Sequence, residues 1–356
     1  GYYPLPESFY KDPKAFGESP VSDGPYKFKS WKHNADIVLE KNPDYNGNFK
    51  AKNDGLDFKI YTSADSSYAD VQSGNLDVSA NIPPSALKSF QKNTKMNNYS
   101  KAGSGTATFT IPQSLEHFGG EEGVLRRQAI SMAIDRKQIT EKVLSGTATP
   151  VTDFAAPTIS GHSDKLKGSE NLEYNPKKAK ELWAKADAIS KFTGTFTLSY
   201  NADGDAKSLY DAMANQLKNN LGIDAATNPV PTFQEFRDEV TKRQLKGGVK
   251  GGWQADYPTI ENYLAPIYAT SAADGHGAND GDYKNPKFDA LLDEAAKASS
   301  VDEANKYYQQ AEEILLNDLP GIPLYNSNAY AVFGKNVKHA EPNWNGVPVF
   351  HELTKQ

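Results

Sequence analysis

Between Thr193 and Trp253 the sequence alternates three strand patterns with two helical ones, and this order restricts the fold more than any other feature. Thr193 to Tyr200 alternates apolar and polar residues with the period of a strand. Leu209, Met213, Leu217 and Leu221 recur at helical spacing and stop at Gly222. Ile223 to Val230 reads as a second strand. Thr232 with Glu235 has the layout of a capping box for a helix through Leu245, and Gly248 to Trp253 reads as a third strand. Such a β-α-β-α-β run needs right-handed crossovers, which predicts a parallel sheet with helices on its faces. Ligands bind outside the carboxyl ends of strands in open parallel sheets. The loop that leaves the third strand, Gly252-Trp253-Gln254-Ala255-Asp256-Tyr257-Pro258, is therefore expected to face a crevice. It sets one acid between two aromatics, able to stack on an organic ligand and to neutralise a cation.

The flanking regions are of mixed type. Gly24 to Trp31 and Gly55 to Tyr61 alternate as strands, and Asp36 to Lys41 reads as the partner strand of the first, with turn chemistry at Asn42-Pro43-Asp44-Tyr45-Asn46-Gly47. A helix is expected around Ser66 to Gly74 and a strand near Leu76 to Ala80. Val124 to Ile134 has an apolar helical face, and Asp135 with Gln138 predicts a cap opening a helix that ends near Gly146. Asn175-Pro176 fits a cap followed by proline at the first helical position. Two helices, Pro286 to Ala298 and Val301 to Leu316, precede extended chain at Pro320 to Tyr325 and a strand at Ala329 to Phe333. The Gly/Asp/Asn-rich stretch from Ala272 to Asp282 reads as an exposed loop.

Length and composition narrow the function classes. A chain of 356 residues can bury a large core and suggests two domains. The net charge of −6 argues against nucleic acid or an anionic membrane as main partner. Cysteine is absent, which excludes thiol catalysis and thiolate metal sites within this chain. No phosphate-cradling loop, no Gly-x-Ser-x-Gly elbow and no helical histidine pair is present, so no catalytic residue, metal ligand or cofactor is assigned. Asp274, Asp280 and Asp282 loosely suggest oxygen ligands for calcium, but not at EF-hand spacing. Aromatic residues make up 11% of the chain, and many tyrosines fall in expected loops, where they suit peptide or sugar pockets.

Several segments together resemble one family. Pro20-Val21-Ser22-Asp23-Gly24-Pro25-Tyr26, Trp31 and Leu39-Glu40-Lys41-Asn42-Pro43-Asp44-Tyr45 look like its Pro-x-Gly-x-Gly-Pro-Tyr and Asn-Pro-x-Tyr signature. Ser22 and Asp23 depart from the commonest form. Gln72-Ser73-Gly74-Asn75-Leu76-Asp77 resembles its Gly-x-x-Asp element, and Leu125-Arg126-Arg127-Gln128-Ala129-Ile130 through Ala133-Ile134-Asp135-Arg136 its Arg-x-Ala…Ala-x-Asp-Arg helix pair. Tyr174-Asn175-Pro176 and Tyr283-Lys284-Asn285-Pro286 also match. The family is that of the extracytoplasmic solute-binding proteins of peptide-class ABC importers.

The resemblance implies an α/β, two-lobed, periplasmic-binding-protein-like fold of type II with mixed β-sheets. It closes over a solute and delivers it to ABC permease subunits. Segment 1–109 would belong to the main lobe, 110–329 to the second lobe, and 330–356 to the return into the first. Full-length members begin with a long further stretch, so the chain is expected to lack the N-terminal segment of the family fold. The resemblance also implies an extracytoplasmic monomer, periplasmic or a cell-surface lipoprotein. In the oligopeptide branch the Asp of a Trp-x-Ala-Asp-Tyr loop pairs with the peptide ammonium. Asp256 holds that position, with Trp253, Ala255 and Tyr257 in the same motif. Lys250 lies where that branch can carry a basic residue that meets a carboxylate, although a surface lysine is the simpler expectation. Oligosaccharide capture by aromatic stacking is the rival binding function. A hydrolase would need two convergent carboxylates, and no such pair stands out.

Overall fold

The computed structural model of the chain describes residues 4–204 and 206–356; Gly1, Tyr2, Tyr3 and Asp205 lie outside the described residues. In chain order the main elements are α1 (Glu7–Lys11), α2 (Pro13–Glu18), β1 (Tyr26–Lys32), β2 (Asp36–Lys41), β3 (Gly55–Lys59), α3 (Ala64–Ser73), β4 (Val78–Ser79) and β5 (Asn97–Thr110). They continue with α4 (Gly120–Met132), α5 (Arg136–Gln138), β6 (Ala148–Pro150), α6 (Pro176–Ile189), β7 (Thr195–Asn201), α7 (Lys207–Leu221), β8 (Asp224–Val230) and α8 (Phe233–Thr241). The last are β9 (Gly248–Gln254), α9 (Glu261–Tyr268), α10 (Pro286–Lys297), α11 (Val301–Asp318) and β10 (Gly321–Phe333). No helix among the described residues is long and apolar enough to cross a membrane.

Two compact units divide the chain. The first comprises the described residues up to Lys101 together with Ala329–Gln356, and the second is Ala102–Asn328. In the first, β1, β2 and β3 form an antiparallel sheet, with Trp31 opposite Ile37 and Ile37 opposite Phe58. Its core gathers Tyr68 and Val71 of α3 with Phe90, Met96 and Val332. The end of β10 pairs with β4 through Val332 and Ser79.

In the second unit, β7 pairs parallel with both β8 and β9, as the alternating strand and helix pattern requires. β9 then pairs antiparallel with β5, with Thr106 opposite Trp253 and Phe109 opposite Lys250, so the sheet is mixed. Sequence patterns located the helix starts well. The side chains of Asp135, Asn175 and Thr232 each accept from a backbone N–H three residues on.

Helix ends were less legible. The turn after α5 continues as a π-helical stretch, Ile139–Val143, rather than a regular helix to Gly146. α8 stops at Thr241, not Leu245, because Arg243 takes a left-handed φ of 55° and its guanidinium donates to the Val240 carbonyl at 3.0 Å. The separate extended segments expected after Pro320 are one continuous strand, β10.

The arginines of the sequence signature build scaffold. Arg126 is buried over the rings of Trp183 and Phe192 and reaches Glu122 at 2.7 Å and Asp187 at 3.0 Å. Arg127 donates to the Phe118 and Asp318 carbonyls, and Arg136 to those of Ser131, Leu172 and Pro323. A buried guanidinium is tolerated when its fixed donor fork is filled in this way.

Candidate ligand-binding site

The last residues of β9 and the loop beyond it carry all five candidate residues. Trp253 lies inside the strand, paired with Thr106, and the strand runs on to Gln254; the loop begins one residue later than the sequence suggested. Gly251 and Gly252 leave the strand face open. A Cβ at Gly251 would come within 2.8 Å of Thr108 Oγ1, so a side chain there would have to displace that hydroxyl.

A cavity of about 740 Å³ lies in the first unit, against β3 and β4. None of the candidate residues lines it. A second cavity, of about 400 Å³, lies wholly in the second unit. Thr106, Thr108 and Thr110 of β5 and Lys250 to Trp253 of β9 line one side of it. Phe154, Phe233, Phe236, Tyr263 and Tyr268 add aromatic wall, and Arg237 and Asp280 contribute a charged pair. Arg237 and Asp280 are joined by two hydrogen bonds, at 2.8 and 3.2 Å, so they largely neutralise each other.

Lys250 is not the surface lysine expected. It is half-buried in the cavity wall, and Nζ donates to Asn201 Oδ1 at 2.7 Å. Burial pushes its pKa below the ordinary lysine value, and the nearby Asp203 only partly opposes this. Lys250 and Trp253 therefore share one cavity. Asp256, Ala255 and Tyr257 do not line it: Ala255 is 4% exposed, whereas Asp256 and Tyr257 face solvent. The Tyr257 hydroxyl donates to Glu261, and burial with that bond raises its pKa, against a smaller opposite effect of Asn262.

The first turn of α9 organises this loop, and sequence reading missed it. Asn262, 2% exposed, accepts at Oδ1 from the Trp253 indole N–H at 3.1 Å and from the Asp256 backbone N–H at 2.8 Å. Tyr263 donates to the Ser104 carbonyl at 2.6 Å and lies within reach of the Ala255 N–H. The signal lay in plain view, an Asn-Tyr pair just beyond the acidic motif. Pro266 lies inside this helix, where proline ordinarily reads as a breaker.

The stretch from Ala272 to Asp282 is not a free exposed loop. Asn279 is buried and bonds Ala269 and Tyr283, while Arg243 holds Asp282 at 2.7 Å. The carboxylates once considered for calcium are thus taken: Asp280 by Arg237, Asp282 by Arg243 and Asp274 by Lys284. The Arg243 hydrogen bond, against the opposing effect of burial, lowers the pKa of Asp282.

Comparison with known proteins places this geometry in context. The sequence pattern described as "Bacterial extracellular solute-binding proteins, family 5 Middle" matches residues 2–275. Dipeptide-binding protein DppE of Bacillus subtilis (strain 168) is 27% identical over 346 residues, covering 95% of this chain and 61% of its own length. Heme-binding protein A of Haemophilus influenzae (strain ATCC 51907 / DSM 11121 / KW20 / Rd) is 28% identical over 333 residues, covering 92% and 58%. The chain thus spans about three fifths of the length of these curated relatives. Among solved structures, HbpA2 from Haemophilus parasuis superposes with a TM-score of 0.80 at 22% identity, over 99% of this chain and 69% of that one. The periplasmic binding protein DppA from Helicobacter pylori, in complex with the peptide STSA, gives 0.78 at 22% identity, over 99% and 67%. The α/β fold with mixed sheets is that of these periplasmic binding proteins.

Proposed function

This chain belongs to the bacterial extracellular solute-binding proteins of family 5, and we propose that it is the capturing component of an ABC importer for peptides. In this reading it binds a short peptide outside the cytoplasm, delivers it to membrane permease subunits and performs no chemistry. The observation that carries the reading is the pairing of opposite charges along one strand and loop. Lys250 offers a half-buried cation in an aromatic cavity, and Asp256, six residues on, offers a carboxylate on a loop whose backbone is pinned.

A zwitterionic ligand answers both charges. Asp256 would meet the ammonium, Lys250 a carboxylate, and Trp253 an adjoining apolar group, while Ala255 and Tyr257 shape the loop. Ion pairs of this kind gain strength as water is excluded from around them. The names of relatives such as dipeptide-binding protein DppE agree with a peptide ligand. An uncharged oligosaccharide would stack on the aromatics yet leave the two charges unanswered, so it is the weaker reading.

Calorimetry of the intact protein against a peptide pool and a panel of oligosaccharides tests this choice, with mass spectrometry of any ligand that co-purifies. Heat from sugars alone, or a sugar as the co-purified ligand, would overturn the peptide assignment.

A further inference from the structure

We infer that Asn262 is the positioning residue of the acidic loop, a single buried side chain that fixes Trp253, Asp256 and Tyr257 against one another. Its Oδ1 takes the indole N–H of Trp253 and the backbone N–H of Asp256, so one acceptor holds a residue of the strand and a residue of the loop. Its side chain also lies within hydrogen-bonding reach of the Tyr257 hydroxyl. The next residue, Tyr263, ties the helix to the Ser104 carbonyl. The first turn of α9 thus seats the loop on the sheet, and Asn262 is the part of that turn that touches the candidate ligand residues.

The physical consequence is preorganisation. A loop that carries a charged group can wander, and ordering it on binding costs affinity. Here the Asp256 backbone and the Trp253 ring are held before any ligand arrives. Removing the shared acceptor takes the partner from two partly buried donors at once, which costs free energy wherever water cannot replace it. The effect on ligand affinity rests on the peptide reading of Asp256. The clamp itself does not.

The test separates the two. Amide and indole hydrogen exchange is followed by NMR for the intact protein, the near-isosteric Asn262→Leu variant and the Asn262→Asp variant, which keeps the acceptor. The Trp253 indole and Asp256 amide are expected to exchange at least roughly tenfold faster in Asn262→Leu and near the original rate in Asn262→Asp. Unchanged exchange in Asn262→Leu would overturn the positioning role, whatever the ligand. Binding is then measured with a free-amine dipeptide and its N-acetylated form. The preference for the free amine should shrink by roughly tenfold in Asn262→Leu. A preference abolished by Asp256→Asn yet intact in Asn262→Leu would also overturn the role. Should the original protein show no preference, the peptide reading of Asp256 fails, and the exchange rates alone decide the clamp.

Discussion

Lys250 of β9 rests its ammonium on Asn201 of β7, donating at 2.7 Å to a neutral amide oxygen. Asn201 in turn donates to Asp203 at 2.7 Å, so the nearest carboxylate acts on the cation at a distance, from beyond an intervening amide. Burial with so indirect a counter-charge lowers the lysine pKa. The cation is lost earlier on raising pH than an ordinary lysine would be. Affinity should therefore decline with rising pH more steeply for a peptide with a free carboxylate than for its amidated analogue, because the ligand's own ammonium titrates in both and only the free acid also depends on Lys250. Lys250→Met should weaken the free-acid peptide roughly tenfold, in line with a hydrogen bond to a charged group. Calorimetric titrations across alkaline pH check both statements.

A second prediction concerns buried acids behind the cavity wall. Asp153 and Glu312 are fully buried, and the Ala155 N–H donates to Glu312 Oε1 at 3.1 Å. Burial raises both carboxyl pKa values, and Asp153 raises that of Glu312 further. Burial opposes charging of His162, but its contact with Asp153 at 3.0 Å outweighs this and leaves its pKa raised. Asp164 adds to that effect. All three groups hold protons more tightly when folded. Their stabilisation is therefore present at low pH and lost as pH rises through their folded values. Urea unfolding against pH should show stability falling on that side, and Glu312→Gln should flatten the slope. An identical slope in the variant would contradict this.

The ion pair between Arg243 and Asp282 makes the opposite pH prediction. Arg243 lowers the pKa of Asp282, so the contribution is present at neutral pH and lost as pH falls through the folded value. Both side chains are mostly buried, at 23% and 20% exposed. Asp282→Asn should cost about 1–2 kcal/mol at neutral pH, between the values for exposed and buried pairs. The difference from the original protein should narrow in acid, as measured by thermal or urea unfolding.

Asn279 gives a prediction free of charge. It is 1% exposed, donates to the Ala269 and Tyr283 carbonyls and accepts from the Tyr283 N–H. Asn279→Ala removes the partners of the Tyr283 N–H and carbonyl, while the Ala269 carbonyl still accepts from the Ala272 N–H at 3.0 Å, and should cost about 2–3 kcal/mol. A loss below about 0.5 kcal/mol, the usual range for a surface substitution, would mean that the segment is not pinned.

How much of this was legible follows from where each signal resides. β1 and β3 were readable from alternation, β2 from its short apolar run Ile37-Val38-Leu39 between turn residues, and β7 to β9 because helical stripes separate them. The caps at Asn175 and Thr232 were readable because capping depends on residues three apart. β5 passed unread. Its run of Asn, Ser, Gly, Ala and Thr has few large apolar residues, and it is a strand through its partners rather than its own alternation. Lys250 shows the same limit: strand register and the Asn201 amide, remote in sequence, decide that it is half-buried. Asp256 could be named from its motif, but the clamp at Asn262 depends on how α9 docks, which no local pattern encodes.

The central claim is that Asp256 receives the ammonium of a peptide. Calorimetry of the intact protein with a free-amine peptide and its N-acetylated twin, repeated with Asp256→Asn, tests it most directly. The account predicts tighter binding of the free amine, by roughly tenfold or more for a charged hydrogen bond, and loss of that difference in the variant. Equal binding of the two peptides by the original protein would contradict it.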